Sequence, residues 1–338
     1  MSEPGKEKPV HPDRPLEATR SERDRGIFAA DILAGLSTPE KYIPAEYHYD
    51  VEGSRLFREI TELPEYYLTR CEIDVLERNK EWIADTLADR PNNIIEFGPG
   101  DGSKTRTLLE YFISRQLDLR YVAVDISADA VVQLATDFKV HLPQLPVDCV
   151  ITNYLTGMKW LNKDHQRRNV VMFLGSSIGN FNPDQAMSFG LRMRRCLNEG
   201  DTLIIGFDLV KEPELIHKAY NDARNVTAMF NLNILLRINR ELDGVFDISK
   251  FSYLGRYLGD DRVVQSYLRS KEAQNVRIGA LNRSFYFYPG EFIHTEDSYK
   301  YRESDIESLA AACGFDVKAH LYDARKYFVD SVWVVPKS

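Results

Sequence analysis

The chain has 338 residues, of which 43% are hydrophobic and 28% are charged, and its formal net charge is −8. This composition is typical of a globular protein with a sizeable core, and the acidic balance argues against a nonspecific surface for nucleic acid or acidic membranes. No stretch approaches the roughly 18 consecutive apolar residues of a membrane span. We therefore expect a cytoplasmic protein that binds neither nucleic acid nor membrane. We also expect a monomer, although none of these properties determines the oligomeric state.

The first 25 residues are charged and rich in proline, and they lack the apolar core of a signal peptide. We expect them to form a disordered tail. The four cysteines lie far apart without a CxxC pair, and the seven histidines show no ligand spacing. We therefore predict reduced thiols and no metal site.

A glycine-rich turn follows the first predicted strand, 93–97. Gly98, Gly100 and Gly102 stand at every second position, and a helical pattern begins at Ser103. Strand, glycine turn and helix, in this order, hold nucleotide-like cofactors in α/β sheets. Because the GxGxG spacing differs from the GxGxxG that seats a dinucleotide pyrophosphate, it favours S-adenosylmethionine (SAM), which has no phosphate. An ordinary tight turn is the alternative interpretation.

Short apolar runs and helical patterns alternate along the chain, which predicts a doubly wound α/β sheet. A helix over 303–313 is followed by two further strands, which we expect to close the sheet as an antiparallel hairpin. That ending favours the Rossmann-like sheet of SAM-dependent methyltransferases over a dinucleotide domain, which usually continues with another parallel unit. The predicted parallel strands are 93–97, 121–125, 149–152, 170–174 and 202–207.

Two regions do not fit this sheet. A helical region precedes it, and a long insertion interrupts it before the closing helix. Because the insertion follows the carboxyl end of a strand, we expect it to overhang the cofactor crevice and to bind substrate together with the N-terminal region. The predicted division is a tail (1–25), a substrate-binding part (26–90 and 211–301) and a SAM-binding methyltransferase domain (91–210 and 302–338).

Polar residues at the ends of the predicted strands are candidate ligands. Asp125 ends the second strand, where a carboxylate can accept both ribose hydroxyls of an adenosine, although a role in capping the next helix is the alternative. Asn153 and Tyr154 follow the third strand, at a position where adenine can be held. Asn180 follows the fourth strand, and its amide can donate and accept at once. Turn formation explains this asparagine equally well.

Several tyrosines, including Tyr49 and Tyr66, lie in or near the segment 50–69. Such tyrosines are usually half-buried packing residues with a hydrated hydroxyl. The functional alternative is an aromatic wall around a methylated ammonium group or a sulfonium cofactor.

Five longer segments resemble a known family, the SAM-dependent L-histidine Nα-methyltransferases of ergothioneine biosynthesis. The segments are YDVEGSRLFREITELPEYYLTRCE, EFGPGDGSKTR, FLGSSIGNF, DLVKEPELIHKAYNDARNVTAMFNLN and TEDSYKY. The resemblance extends over nearly the whole chain after about residue 30. In that family, histidine is methylated three times to its trimethylammonium betaine, hercynine, and three SAM molecules are consumed.

The resemblance implies a role for each matched residue. Asn180 and Tyr220 would clamp the α-carboxylate and amine of the substrate, and Glu296 and Ser298 would bind its imidazole. We further expect Tyr49, with water, to accept the proton of the amine. The implied SAM ligands are Tyr66, Gly98, Lys104, Asp125, Asn153, Tyr154 and Gly175, with Asn153 and Tyr154 standing where the family usually has an Asp–Phe pair. The implied substrate residues are Tyr49, Asn180, Tyr220, Thr227, Phe230, Glu296 and Ser298.

A position in the predicted substrate pocket also departs from the family pattern. An apolar side chain packs against the imidazole in the family, but here Ser266 would align with it, with Gln265 or Tyr267 as substitutes, because the chain is one residue longer. A wider or more polar pocket could favour tryptophan or tyrosine, whereas Glu296 argues for histidine. A SAM-binding sensor without turnover is an alternative from another class. The GxGxG spacing and the closing hairpin count against an NAD-dependent oxidoreductase.

Overall fold

The computed structural model describes residues 22–152, 154–158 and 166–337. The first helix, α1 (Glu22–Leu36), begins within the last residues of the predicted tail, and residues 1–21 lie outside the described ranges. The other helices are α2 (Val51–Thr61), α3 (Tyr67–Leu87), α4 (Ser103–Ser114), α5 (Ala128–His141), α6 (Tyr154–Gly157), α7 (Pro183–Cys196), α8 (Pro213–Tyr220), α9 (Val226–Leu242) and α10 (Glu303–Cys313). The strands are β1 (Lys41–Tyr42), β2 (Asn92–Phe97), β3 (Leu119–Asp125), β4 (Val147–Ile151), β5 (Arg168–Phe173), β6 (Thr202–Asp208), β7 (Phe251–Leu258), β8 (Val263–Ser270), β9 (Gln274–Ile278), β10 (Arg283–Phe287), β11 (Phe292–Tyr299), β12 (Asp316–Tyr322) and β13 (Phe328–Val334).

Seven strands form the large sheet, in the order β12-β13-β6-β5-β2-β3-β4. The strands from β6 to β4 in this order run parallel, and β13 runs antiparallel to both β6 and β12. The predicted doubly wound sheet with a closing antiparallel hairpin is therefore confirmed. Because the strand order reverses beside β2, a crevice opens at the carboxyl ends of β2 and β5.

The parallel strands carry apolar residues at their centres because helices cover both faces of the sheet. Every residue of β2, β5 and β6 is buried. Local signals start the covering helices. At α7, the side chains of Asn182 and Gln185 each accept from the other's backbone N–H, and Pro183 stands in the first turn. At α5, the Ser127 hydroxyl accepts from the backbone N–H of Ala130 at 3.3 Å.

A second sheet joins the N-terminal region to the insertion. Its strand order is β1-β11-β8-β7, and β1 pairs in parallel with β11, with Lys41 opposite Ile293. The Asn233 amide on α9 donates to the carboxylate of Asp50, which caps α2. By contrast, α3 packs against β13 and α4 and so belongs with the large sheet. A separate hairpin of β9 and β10 completes the insertion.

None of the described helices is long and apolar enough to cross a membrane.

Candidate active site

One cavity of about 280 Å³ lies where the crevice of the large sheet meets the second sheet, α2 and α9. Within the described ranges, no group of His, Cys, Asp and Glu side chains could hold a metal ion. Asn153 lies outside those ranges, so its role stays a prediction. All the other predicted site residues line this cavity: Tyr49, Tyr66, Gly98, Lys104, Asp125, Tyr154, Gly175, Asn180, Tyr220, Thr227, Phe230, Glu296 and Ser298.

The glycine turn between β2 and α4 brings bare backbone to the cavity. Gly98, Gly100 and Gly102 have positive φ angles of 71°, 61° and 72°. A Cβ atom at Gly102 would lie 2.8 Å from Cδ1 of Leu134, and one at Gly98 would lie 3.0 Å from the hydroxyl of Tyr154. Both the backbone conformation and the neighbouring atoms therefore disfavour a side chain. A nucleotide-like ligand can lie directly against this turn.

Asp125, at the carboxyl end of β3, supports the turn and faces the cavity. Its Oδ1 accepts from the backbone N–H of Ser127 at 2.8 Å, and its Oδ2 accepts from that of Gly100 at 3.4 Å. Burial raises the pKa of Asp125, and these backbone N–H groups lower it only in part. Because Ser127 caps α5, helix capping does not explain this carboxylate. Its remaining lone pairs can accept hydroxyl groups of a ligand.

The buried carboxylate of Glu72, which was not predicted from the sequence, connects two of the predicted SAM ligands. Glu72 of α3 accepts from the backbone N–H of Gly175 at 2.6 Å and forms an ion pair with Lys104. Burial would lower the pKa of Lys104, but the Glu72 carboxylate raises it, so the ammonium group stays charged. Burial, together with the charge of Glu72, raises the pKa of Asp330 well above its usual range. The available signal was an acid on the apolar stripe of α3.

A β-bulge turns side chains of β11 into the cavity. The register of β11 with β8 shifts between His294 and Glu296, so that β11 carries one extra residue. In a regular strand, alternate side chains point to the same face. Because Ile293 is fully buried, Asp297 would then also point inward. The bulge instead places Glu296 and Ser298 on the cavity side.

Ser266 of β8 lies opposite Glu296 and lines the same cavity. Its hydroxyl is 3.2 Å from Tyr253 Oη, so this wall is polar. Tyr267 donates to Gln265 at 2.8 Å on the other face of the strand, because successive side chains alternate between faces. The prediction that Gln265 or Tyr267 could substitute in the pocket is therefore wrong.

Glu296 has an unusual electrostatic environment. Asn180 Nδ2 donates to its Oε1 at 3.2 Å. Burial raises the pKa of Glu296 to about 7, and the nearby ammonium group of Lys300 offsets this only in part. A carboxyl group with this pKa suits a ligand that can share a proton with it near neutral pH, as a basic ring nitrogen does.

Two hydroxyl groups also face the cavity. Tyr220 Oη and Ser298 Oγ lie 2.6 Å apart. Behind them, the buried ammonium group of Lys300 donates to both, at 2.7 Å and 2.8 Å. Lys300 was not predicted as a site residue, although it stands in the matched segment TEDSYKY.

Aromatic rings line the space between the glycine turn and β11. The rings of Tyr49, Phe57, Tyr66, Tyr220 and Phe230 lie with neighbouring centroids 5.6 to 6.4 Å apart, in edge-on or tilted arrangements. Such rings can stabilise a cation through their π faces. Burial, reinforced by nearby carboxyl groups, raises the pKa of Tyr49 well above its ordinary value, so its hydroxyl stays protonated.

The strand order, the antiparallel closing hairpin and the glycine turn define the class of protein, a SAM-dependent methyltransferase. A family model described as "Histidine-specific methyltransferase, SAM-dependent" matches residues 28–335. The chain belongs to this family, and its cofactor is SAM. The resemblance predicted from the sequence is thereby confirmed.

Known proteins of similar sequence agree with this assignment. The chain is 36% identical to a histidine N-alpha-methyltransferase of Mycolicibacterium smegmatis over 285 residues, which are 84% of this chain and 87% of the relative. It is 34% identical to a histidine N-alpha-methyltransferase of Mycobacterium tuberculosis, with the same coverage of both chains. It is 31% identical to ergothioneine biosynthesis protein 1 of Schizosaccharomyces pombe over 79% of this chain and 35% of that protein.

Proposed function

We propose that this enzyme transfers methyl groups from SAM to the α-amine of L-histidine, and that three successive transfers give hercynine. The observation that carries the proposal is one cavity lined by both the Asp125 carboxylate and the Glu296 carboxyl group. Asp125 suits the ribose of the methyl donor, and Glu296 suits a ring with a basic nitrogen. The names of the relatives support histidine as the acceptor and ergothioneine biosynthesis as the pathway.

The residues beside the glycine turn fit SAM, and we name them the donor end of the cavity. Asp125 would accept the ribose hydroxyls, and Tyr154 would lie against the adenine. The ammonium group of Lys104 and the backbone beside Gly175 would hold the amino-acid part, with Tyr66 bordering it. When bound, SAM supplies an electrophilic methyl group on its sulfonium sulfur.

The residues around β11 fit an α-amino acid, and we name them the acceptor end. Asn180 and Tyr220 would hold the α-carboxylate, while Glu296 and Ser298 would hold the imidazole. A substrate gripped at its carboxylate and at its ring has its amine fixed in direction, beside Phe230 and Thr227. Fixed orientation of this kind removes part of the entropic barrier to an in-line displacement.

The α-amine must lose a proton before it can attack a methyl group. Tyr49 accepts an N–H hydrogen bond from the amine and, because its raised pKa keeps it protonated, passes the proton to water rather than storing it. The rings of Phe57, Tyr66 and Phe230 stabilise the positive charge that grows on the methylated nitrogen. This chain's own contribution is therefore orientation, proton transfer and stabilisation of a cation.

Mass spectrometry of the product tests the proposal. With SAM and L-histidine, we expect species that carry one, two and three added methyl groups, together with S-adenosylhomocysteine. L-tryptophan and L-tyrosine are the parallel acceptors, because the polar wall at Ser266 leaves them as the second candidates. Methylated tryptophan beside unmodified histidine would overturn the acceptor. Binding of SAM without release of S-adenosylhomocysteine would indicate a sensor.

A further inference from the structure

Lys300 lies directly behind the acceptor end without lining the cavity. Its side chain is fully buried, and Nζ lies 2.9 Å from Asp208 Oδ2. The same ammonium group donates to Tyr220 Oη at 2.7 Å and to Ser298 Oγ at 2.8 Å. These three acceptors account for all three N–H donors of the lysine.

Asp208 anchors this ammonium group to the large sheet. It stands at the end of β6, where it also accepts from the hydroxyl of Tyr67 at 2.8 Å and pairs with Lys211. Burial alone would raise the pKa of Asp208, but the ammonium groups of Lys211 and Lys300 hold it below its usual range. The carboxylate therefore stays charged, and it connects the large sheet to the residue that follows β11.

The distances restrict the directions of the hydrogen bonds. Tyr220 Oη and Ser298 Oγ, at 2.6 Å, are close enough that one must donate to the other. Neither hydroxyl can donate to Lys300, because an ammonium group has no lone pair. Of the two hydroxyl protons, one therefore lies between the oxygens and the other is available to a ligand.

A bound carboxylate decides which proton is available. Since a carboxylate only accepts, Tyr220 must donate to it, and Ser298 must then donate to Tyr220. Ser298 is left with a lone pair toward the cavity. A substrate ring bound there must present an N–H group, whereas an unprotonated nitrogen would face the serine lone pair.

We propose that Lys300 is a positioning residue for the amino-acid substrate: it holds the Tyr220 and Ser298 hydroxyls together and keeps Ser298 as an acceptor for a ring N–H. This inference rests on the proposed function, because it takes the ligand to be an amino acid with a nitrogen-containing ring. Lys300 then selects the protonation state of the substrate ring without touching the substrate.

Lys300→Met and Lys211→Met form a matched pair of variants. Both remove a buried ammonium group bonded to Asp208, but only Lys300 contacts the two hydroxyls. In Lys300→Met we expect KM for L-histidine to rise about tenfold or more, with kcat at saturating histidine within about threefold of wild type. Affinity for S-adenosylhomocysteine, measured by calorimetry, should stay within about twofold in both variants. Lys211→Met should keep the wild-type KM.

A second acceptor tests the direction of the hydrogen bond. The ring of 3-(thiazol-4-yl)-L-alanine is similar in size to imidazole but has no N–H group. Wild type should prefer histidine over this analogue by about a hundredfold in kcat/KM, because the lone pairs of Ser298 and the analogue would face each other. Lys300→Met should narrow this preference about tenfold, since the released serine hydroxyl can rotate and donate.

An unchanged KM in Lys300→Met, an equal rise in Lys211→Met, or an unchanged preference between the two acceptors would overturn the role of Lys300 while leaving the proposed function intact. A wild-type protein that does not methylate histidine in the same assay would overturn both.

Discussion

The two ends of the cavity are built in different ways. Most residues of the donor end come from the turns that follow neighbouring parallel strands, between Gly98 and Gly175. The acceptor end combines side chains that lie far apart in the chain, between Tyr49 and Ser298. They come from the segments before α2 and after β5, from α8 and α9, and from the bulged strand β11. Local backbone conformation therefore shapes the donor end, whereas long-range packing shapes the acceptor end. We expect substitutions at one end to leave binding at the other end intact.

Removal of the Glu296 carboxyl group should have the largest effect. In Glu296→Ala, kcat/KM for L-histidine should fall about a thousandfold, because the ring N–H and the Asn180 amide both lose a partner. Affinity for S-adenosylhomocysteine, measured by calorimetry, should stay within about twofold. Asp297→Ala is the control, since that carboxylate contacts His294 and Gln265 instead. Equal losses in the two variants would mean that the strand is needed and not the carboxyl group.

Tyr49→Phe keeps the aromatic ring and removes only the hydroxyl group. We expect kcat at neutral pH to fall about a hundredfold, because proton transfer from the amine loses its first acceptor. Steady-state kinetics at saturating SAM and histidine measure this effect. Tyr47→Phe is the control, because the Tyr47 hydroxyl bonds Asp31 and does not line the cavity. Full turnover of Tyr49→Phe through all three methylations would exclude the proton-accepting role.

The raised pKa of Glu296 predicts a pH dependence of stability. Folding raises this pKa from 4.5 to about 7, so between these pH values the folded protein holds a proton that the unfolded chain releases. The free energy of unfolding should therefore decrease by up to about 3 kcal/mol as the pH rises through this window. Urea unfolding at several pH values measures the decrease, which Glu296→Gln should lack. If the free energy of unfolding changed equally with pH in wild type and in Glu296→Gln, the Glu296 carboxyl group would titrate normally.

At the donor end, Asp125→Asn should have the smallest effect of this series. We expect the Kd for SAM to rise about tenfold, since a neutral amide oxygen accepts a hydroxyl hydrogen bond less strongly than a carboxylate. At saturating SAM, KM for histidine should not change. Asp118→Asn, directly before β3, is the control, because its carboxylate pairs with Arg167 at the surface. If Asp125→Asn raised the KM for histidine as much as the Kd for SAM, the two ends would not be independent.

Much of the donor end could be predicted from the sequence because its signals are local. Apolar runs of strand length marked the five parallel strands, and the alternate glycines marked the turn before α4. Asp125 was placed correctly because it directly follows a buried run. Glu72 was missed, since an acid within a helix is usually solvated and only the packing of α3 on the sheet buries it.

At the acceptor end, Asn180 was a candidate from its position after a strand, but most of the other residues could be predicted only through the family resemblance. Taken alone, Glu296 is an acid beside Asp297 in a polar segment, and the sequence contains no sign of the bulge that separates their directions. The alternation of a regular strand would have turned Asp297 toward the core. The residues of the insertion were recognised, but its four-stranded sheet with β1 was not predicted.

The sequence by itself determined the class of sheet, the glycine turn and the kind of cofactor, because periodicity and turn residues act over a few neighbouring positions. Only the tertiary structure decided that β1 pairs with β11, that the bulge turns Glu296 inward, and that Lys300 lies behind Tyr220 and Ser298. These features depend on contacts between segments far apart in the chain. No local pattern indicates such contacts, because their free energy arises only when both segments pack together.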